Sequence, residues 1–144
     1  VVDSSAIPTG EIASVEGTPM DFRTEKQIGQ DIRADFEQLH FTGGYDHNYV
    51  LGRSGEKKIM ANAYCRESGI ALEAATDCCG VQFYAGNFIG EQTGKGGAAY
   101  HDRSAFCLES QFYPNAVNEP DFPSPVVKAG DTYHTETSYQ FYLR

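Results

Sequence analysis

The chain has 144 residues and a mass of 15.8 kDa, the size of one ordinary domain. It carries 11 Lys and Arg against 20 Asp and Glu, and the net charge of -9 is the wrong sign for a surface that neutralises phosphates. We therefore expect no nucleic-acid partner and no anionic membrane partner, and the 40% hydrophobic content excludes a disordered acidic tail.

Alternation of apolar or β-branched residues with polar residues is the main pattern, and it predicts an antiparallel all-β fold. Turn-forming residues bound each of the runs. The predicted strands cover residues 11–15, 45–51, 58–66, 70–76, 81–88, 104–112 and 131–144.

Two segments depart from this alternation. In residues 24–40 the apolar side chains Ile28, Ile32 and Phe36 recur at helical intervals, which predicts a short surface helix or a helical turn. Residues 114–125 contain four prolines, and proline cannot donate to a central ladder, so this stretch is predicted to be a long ordered loop. No repeat or linker-like segment divides the chain, and we expect one domain over residues 1–144.

Composition along the chain also bears on location and redox state. No stretch approaches the roughly 18 apolar residues that a membrane span needs, and the N-terminus lacks the layout of a secretory signal. The four cysteines lack the spacing of a zinc site or a redox motif, so we expect free thiols, no bound metal and a cytoplasmic protein.

The glycine-rich run at residues 90–97 has some similarity to a phosphate-binding loop. Its spacing is one residue short, and Gly96 follows Lys95 where a Ser or Thr is needed for magnesium. The run is therefore predicted to be a flexible turn between strands, without a nucleotide.

Three polar side chains, Asp46, His47 and Asn48, open an otherwise apolar strand after the Gly43-Gly44 turn. Alternation directs at least one of them into the packed side of the sheet or into a pocket. Considered alone, they are explained by a turn aspartate and a core histidine with satisfied hydrogen bonds.

A carboxylate in mid-strand, Glu109, is disfavoured by β-propensity and needs an explanation. It either faces solvent from an open sheet face, which is the commoner case, or lies in a lined cleft suited to proton transfer. Gln82 is a second polar side chain within an apolar strand. An amide, a carboxylate and aromatic rings together are typical of a sugar site.

Four groups of segments, in order along nearly the whole chain, resemble the aldose 1-epimerase (galactose mutarotase) family. The segments are residues 8–12 with 17–23, residues 44–51, residues 80–88 with 94–97, and residues 106–111 through 122–124. The resemblance implies a large antiparallel β-sandwich of the mutarotase type and a cofactor-free interconversion of the α and β anomers of galactose, glucose and related aldoses.

The resemblance also implies roles for three residues. Glu109 matches the general base that removes the proton from the C1 hydroxyl, and for this role we expect its carboxyl group to be buried in mid-strand. Asp46 matches a carboxylate that accepts hydrogen bonds from sugar hydroxyls, and Gln82 matches a substrate-binding amide. The partner of the protein is then a small aldose sugar.

Some features of the family pattern are missing or changed. In the family the general acid is a histidine, and it lies with an Asn-His motif and an arginine in a part of the fold that precedes these residues. None of the histidines of this chain matches, so we expect only the C-terminal portion of a mutarotase-like β-sandwich, with the N-terminal portion absent. Cys79, Ala105 and Ser110 stand where proline, glycine and threonine are usual.

Two other hypotheses remain open on the sequence. A non-catalytic carbohydrate-binding β-sandwich module would use the aromatic and amide surface without an acid and base pair. A truncated or degenerate product with no function is the third reading.

Overall fold

The structure is a computed structural model that describes all residues from Val1 to Arg144. It contains one α-helix, α1 (Glu37–Thr42), and one 3-10 turn at Lys95–Gly97. The strands are β1 (Asp46–Val50), β2 (Lys58–Tyr64), β3 (Ile70–Thr76), β4 (Gly80–Tyr84), β5 (Gln92–Thr93), β6 (Ala99–Tyr100), β7 (Cys107–Gln111) and β8 (Thr137–Leu143).

These strands form two three-stranded sheets and one small hairpin. The strand orders are β1-β4-β7, β2-β3-β8 and β5-β6. The pairs β2 with β3, β3 with β8, and β5 with β6 are antiparallel. The predicted all-β, antiparallel fold class is confirmed. The glycine-rich run at residues 90–97 includes strand β5 and the 3-10 turn at Lys95–Gly97 that leads to β6, so the predicted turn between strands occupies its second half.

Two predicted elements differ from the structure. Residues 11–15 do not form a strand, and Ile12 is 57% exposed, because alternation alone does not supply a neighbouring strand to pair with. Residues 24–36 form turns, bends and irregular segments, and only the end of the predicted helix is present, as α1. This helix ends at Gly43, whose φ of 66° places it in the left-handed region and lets its N–H donate to the Leu39 carbonyl.

The chain forms two compact units, each built from two segments. Unit 1 contains residues Val1–His47 and Gln82–Cys107, and unit 2 contains residues Asn48–Val81 and Leu108–Arg144. That one domain spans residues 1–144 stays a prediction.

Aromatic side chains form the core of unit 1. The ring of Tyr45 stacks on Phe83 with centroids 5.5 Å apart, and the edge of Phe22 meets Tyr45 at 5.0 Å. Phe106 meets Phe83 edge-on at 6.2 Å. Such pairs contribute about 0.5–1.5 kcal/mol each beyond the area they bury. The buried Tyr45 hydroxyl donates to the Pro19 carbonyl at 3.0 Å, so it has a polar partner.

Asn87 fixes the chain where it enters β1. Its buried Nδ2 donates to the carbonyls of Thr42 and Tyr45, at 3.1 and 3.0 Å. Gly44 passes so close that an added Cβ would lie 2.3 Å from Asn87 Oδ1, and its φ of 140° also favours glycine. The start of β1, and with it Asp46, is therefore held by a buried amide.

Unit 2 has a separate core, made of Cys79, Tyr113, Ala116 and Phe122, with Phe112 packed against it. Beside it lies a chain of hydroxyl groups. Thr137 Oγ1 is 2.6 Å from Ser110 Oγ and 3.0 Å from Thr76 Oγ1. This chain joins β7, β8 and β3. The loop at residues 114–125 consists of turns and irregular segments, as its prolines predict.

None of the four cysteines is in a disulfide bond, as predicted. Cys78 and Cys79 are buried, and Cys65 and Cys107 are exposed. No helix in the structure has the length and apolar character that crossing a membrane requires.

Candidate functional site

Asp46 and Gln82, both in unit 1, are brought into direct contact. Gln82 Nε2 donates a hydrogen bond to Asp46 Oδ1 at 2.8 Å. Both side chains are half-buried, and they come from β1 and β4, which are neighbours in the sheet. Sheet pairing therefore joins two polar side chains that are 36 residues apart in the sequence.

The bond to Asp46 decides which way the Gln82 amide faces. One amide hydrogen points to the carboxylate, which leaves Gln82 Oε1 buried without a hydrogen-bond partner. A buried acceptor without a partner is costly, by about 1–3 kcal/mol, and a ligand hydroxyl that donates to it would remove that cost. The pair therefore offers a carboxylate and an amide oxygen to hydroxyl groups.

An aromatic side chain also lies on the face of the sheet that carries this pair. Tyr84 lies two residues after Gln82 in β4, so alternation places the two side chains on the same face. The Tyr84 hydroxyl accepts the main-chain N–H of Phe88 at 3.0 Å. Phe88 itself is an exposed aromatic ring. Rings of this kind can pack on the apolar face of a sugar.

His47 is the residue of the Asp46–Asn48 trio that points into the packed side of the sheet, and it is 7% exposed. Its Nδ1 accepts the main-chain N–H of Asp46 at 3.2 Å. Burial lowers the pKa of His47 to about 4, and the positive charge of the chain's amino terminus acts in the same direction. The imidazole is therefore neutral at physiological pH and cannot serve there as a charged acid.

Glu109 lies in the middle of β7, in unit 2, and is exposed. The expectation of a buried carboxylate is therefore wrong. Cys107 and Glu109 share the exposed face of the strand, whereas Leu108 and Ser110 are half-buried. Alternation thus predicted which residues share a face, but burial depends on what covers that face, which a strand pattern does not contain.

No other cluster competes with this arrangement. No group of three or more His, Cys, Asp or Glu side chains could hold a metal ion. The Ser110 hydroxyl bonds to the Thr137 hydroxyl rather than to a histidine, so it gives no support to a nucleophile. His101 lies on the surface, where Glu91 Oε1 is 3.9 Å from its Nδ1.

Comparison with known proteins gives consistent matches. The family model for aldose 1-epimerase matches residues 1–140. Galactose mutarotase from Sus scrofa is 45% identical over 141 residues, and that from Homo sapiens is 43% identical over 141 residues. Aldose 1-epimerase from Escherichia coli is 36% identical over 143 residues. Each alignment covers 97% of this chain.

The solved structure of an aldose epimerase homologue from C. elegans matches with a TM-score of 0.77 and 29% identity, over 99% of this chain and 42% of that one. This match confirms the expected fold class. The chain spans 40% of the length of the Sus scrofa and Homo sapiens relatives and 41% of the Escherichia coli relative. On the family match over residues 1–140, the chain belongs to the aldose 1-epimerase family.

Proposed function

We propose that this chain supplies the general base and two sugar contacts of an aldose 1-epimerase, an isomerase that interconverts the α and β anomers of galactose, glucose and related hexoses. The observation that carries the proposal is the family match over residues 1–140. The Asp46–Gln82 pair supports it, because both residues were assigned to sugar binding by resemblance and they lie in hydrogen-bond contact.

The chemistry needs an acid and a base. A base removes the proton from the C1 hydroxyl while an acid protonates the ring oxygen. The ring opens to the aldehyde, rotates about the C1–C2 bond and closes on the other face. Glu109 takes the role of base. Its exposed carboxylate is accessible to a sugar.

Asp46 and Gln82 bind sugar hydroxyls away from the reacting carbon. A hydroxyl that donates to the Asp46 carboxylate forms a charge-assisted bond, worth about 1.5–3 kcal/mol. A hydroxyl that donates to Gln82 Oε1 satisfies the buried acceptor identified above. Both bonds form with either anomer, because neither involves the configuration at C1. The pair therefore holds the sugar while the C1 centre inverts.

The general acid is not assigned to this chain. None of His40, His47, His101 and His134 matches the histidine motifs of the family. His47 is buried, and its pKa of about 4 leaves it neutral at pH 7. A base without its acid cannot move protons in both directions. We therefore expect the isolated chain to have little mutarotase activity.

A chimera tests the proposal. The chain replaces the matched 141 residues of Sus scrofa galactose mutarotase, and polarimetry follows the anomerisation of α-D-galactose. We expect the chimera to anomerise galactose and the isolated chain to remain near the uncatalysed rate. A folded chimera without activity would contradict the proposal, with circular dichroism and cooperative unfolding as the measure of folding.

A non-catalytic carbohydrate-binding module is the second candidate. It is favoured by the Asp46–Gln82 pair, which needs no acid to bind a hydroxyl. If this candidate is right, the folded chimera will bind galactose without anomerising it, and Glu109→Gln will leave the affinity unchanged. Titration of the chimera with galactose, followed by calorimetry, separates the two candidates.

A further inference from the structure

His47 follows the candidate sugar contact Asp46 in strand β1, and the function proposed above gives it no role. Adjacent residues of a strand point to opposite faces, so Asp46 faces the Gln82 side and His47 faces the core of unit 1. Tyr45, on the same face as His47, is fully buried. The imidazole is therefore enclosed within the core, whereas the Asp46 side chain lies on the opposite face of the strand, with Gln82.

The geometry of the backbone explains what His47 binds. The Tyr45 carbonyl accepts the N–H of Ala85 at 2.9 Å, so it points toward β4. In a trans peptide the next N–H, that of Asp46, points the opposite way. The strand order β1-β4-β7 leaves no strand of that sheet on this side of β1. The Asp46 N–H would lack a ladder partner there, and His47 Nδ1 accepts it at 3.2 Å.

This bond fixes the protonation state of the ring. A nitrogen that accepts a hydrogen bond carries no proton, so the single proton of the neutral imidazole is on Nε2. Nε2 is buried and has no hydrogen-bond partner. A second proton, on Nδ1, would remove the acceptor and place a charge in the apolar core.

We propose that His47 is a positioning residue for Asp46: the buried neutral imidazole holds the main chain of Asp46 at the open edge of β1, while Gln82 holds its carboxylate. The two bonds act at opposite ends of the same residue, at 3.2 and 2.8 Å. Together they set the direction of the carboxylate before a ligand arrives. The role of Asp46 as a sugar contact rests on the proposed function, whereas the bond from His47 to Asp46 does not.

Two substitutions separate the acceptor from the volume of the ring. His47→Phe keeps a ring in the core and removes the acceptor. His47→Asn places an oxygen at the position of Nδ1 but leaves part of the ring volume empty. If the acceptor is what matters, Asn preserves the site better than Phe, whereas Phe preserves stability better than Asn. If the ring served only to fill the core, His47→Phe would preserve both the site and the stability better than His47→Asn.

The first test is NMR of the 144-residue chain without any sugar. Long-range 1H–15N spectra at pH 7 are expected to show an unprotonated Nδ1 and a protonated Nε2 on His47. A proton on Nδ1, or on both nitrogens, would overturn the proposal without any variant.

Amide exchange measures the bond itself. The exchange rate of the Asp46 amide, referenced to that of Ala85, is expected to be at least tenfold faster in His47→Phe and within about threefold of the parent in His47→Asn. Equal protection of the Asp46 amide by Phe and Asn would also overturn it.

The second test uses the active chimera. His47→Phe is expected to raise the KM for galactose about tenfold and to change kcat less than twofold, because Asp46 binds hydroxyls remote from the reacting carbon. His47→Asn is expected to recover most of the affinity. Unchanged KM in His47→Phe would contradict the positioning role. If the chimera is inactive but the NMR result is as expected, the proposed function is wrong and the bond from His47 to Asp46 still stands.

Discussion

Gln82 Nε2 lies 2.8 Å from Asp46 Oδ1, and this one hydrogen bond orients both side chains. It turns the amide so that Gln82 Oε1 is left as a buried acceptor. Any change that removes the donor alters both the carboxylate and the direction of the amide oxygen. A substitution that keeps the shape of the Gln82 side chain but removes its donor should therefore disturb both side chains.

Gln82→Glu is the direct test of this pair. The variant places two carboxyl groups in hydrogen-bond contact, which raises the pKa of one of them. We expect the KM for galactose in the chimera to rise at least tenfold at pH 7.5 and to recover in part at pH 5, as one carboxyl takes up a proton. Gln92→Glu, at an exposed position of β5, is the matched control and should leave KM unchanged. Equal KM values for the parent and Gln82→Glu would show that the pair does not meet the sugar.

Because His47 is buried in its neutral form, we expect the unfolding free energy of the protein to fall on acidification. The folded pKa of His47, about 4, lies below the value of 6.5 that an unperturbed histidine has, so the unfolded chain binds the proton more readily. The contribution is complete above pH 6.5 and falls as the pH approaches 4. Between pH 7.5 and 4.5 the loss is roughly 2–3 kcal/mol of unfolding free energy.

Urea unfolding at these two pH values measures this loss, and His47→Phe is the reference. The variant cannot take up the proton and should lose less stability on acidification, although exposed carboxylates contribute equally to both proteins. An identical decline in the two proteins would show that His47 is not the group responsible.

The hydroxyl chain of unit 2 predicts a cost for Thr137→Val. Thr137 Oγ1 contacts both Ser110 Oγ and Thr76 Oγ1, and Thr76 is fully buried. Valine keeps the shape and leaves both partners without this contact, so we expect the unfolding free energy to fall by about 1–3 kcal/mol in urea denaturation. Thr93→Val, at an exposed position of β5, is the control and should have no more than a small effect. A neutral Thr137→Val would mean that the chain of hydroxyls does not stabilise unit 2.

The cysteines are expected to differ in their reactivity toward a thiol reagent. Cys65 and Cys107 are exposed, and the hydrogen bond with the Ser68 side chain lowers the pKa of Cys65. Because the thiolate is the reactive form, Cys65 should react first at pH 7, and Ser68→Ala should slow it. Cys78 and Cys79 should react only after unfolding. Mass spectrometry of partly labelled protein identifies the sites, and early labelling of Cys79 would contradict the burial described above.

Local sequence patterns predicted the strands that have close neighbours in the chain. Strand β3 (Ile70–Thr76) begins and ends where the alternation does, because β2 pairs with it directly across a short turn. Residues 11–15 show a similar alternation but form no strand. Ile32, in a segment predicted to be helical, is buried within turns. The periodicity therefore predicted that Ile32 packs in the interior, but it did not predict the backbone conformation at that residue.

The site shows the same limit. Alternation placed Asp46 and Gln82 in their strands, but their contact depends on the pairing of β1 with β4, which no local pattern contains. His47 is buried, as the sequence predicted, but its hydrogen bonds are not all satisfied, because Nε2 has no partner. Its bond to Asp46 follows from β1 being at the edge of its sheet. The exposure of Glu109 was not predicted, because it depends on what packs against β7.

The role of Glu109 as the base is the central claim, and the initial rate of galactose anomerisation by the chimera tests it most directly. Glu109→Gln keeps the shape of the side chain and removes the base, so the rate should fall by about 10²–10⁴-fold with little change in KM. Glu73→Gln, on β3 in the other three-stranded sheet, should retain full activity. If Glu109→Gln anomerises galactose as fast as the parent chimera, Glu109 is not the base.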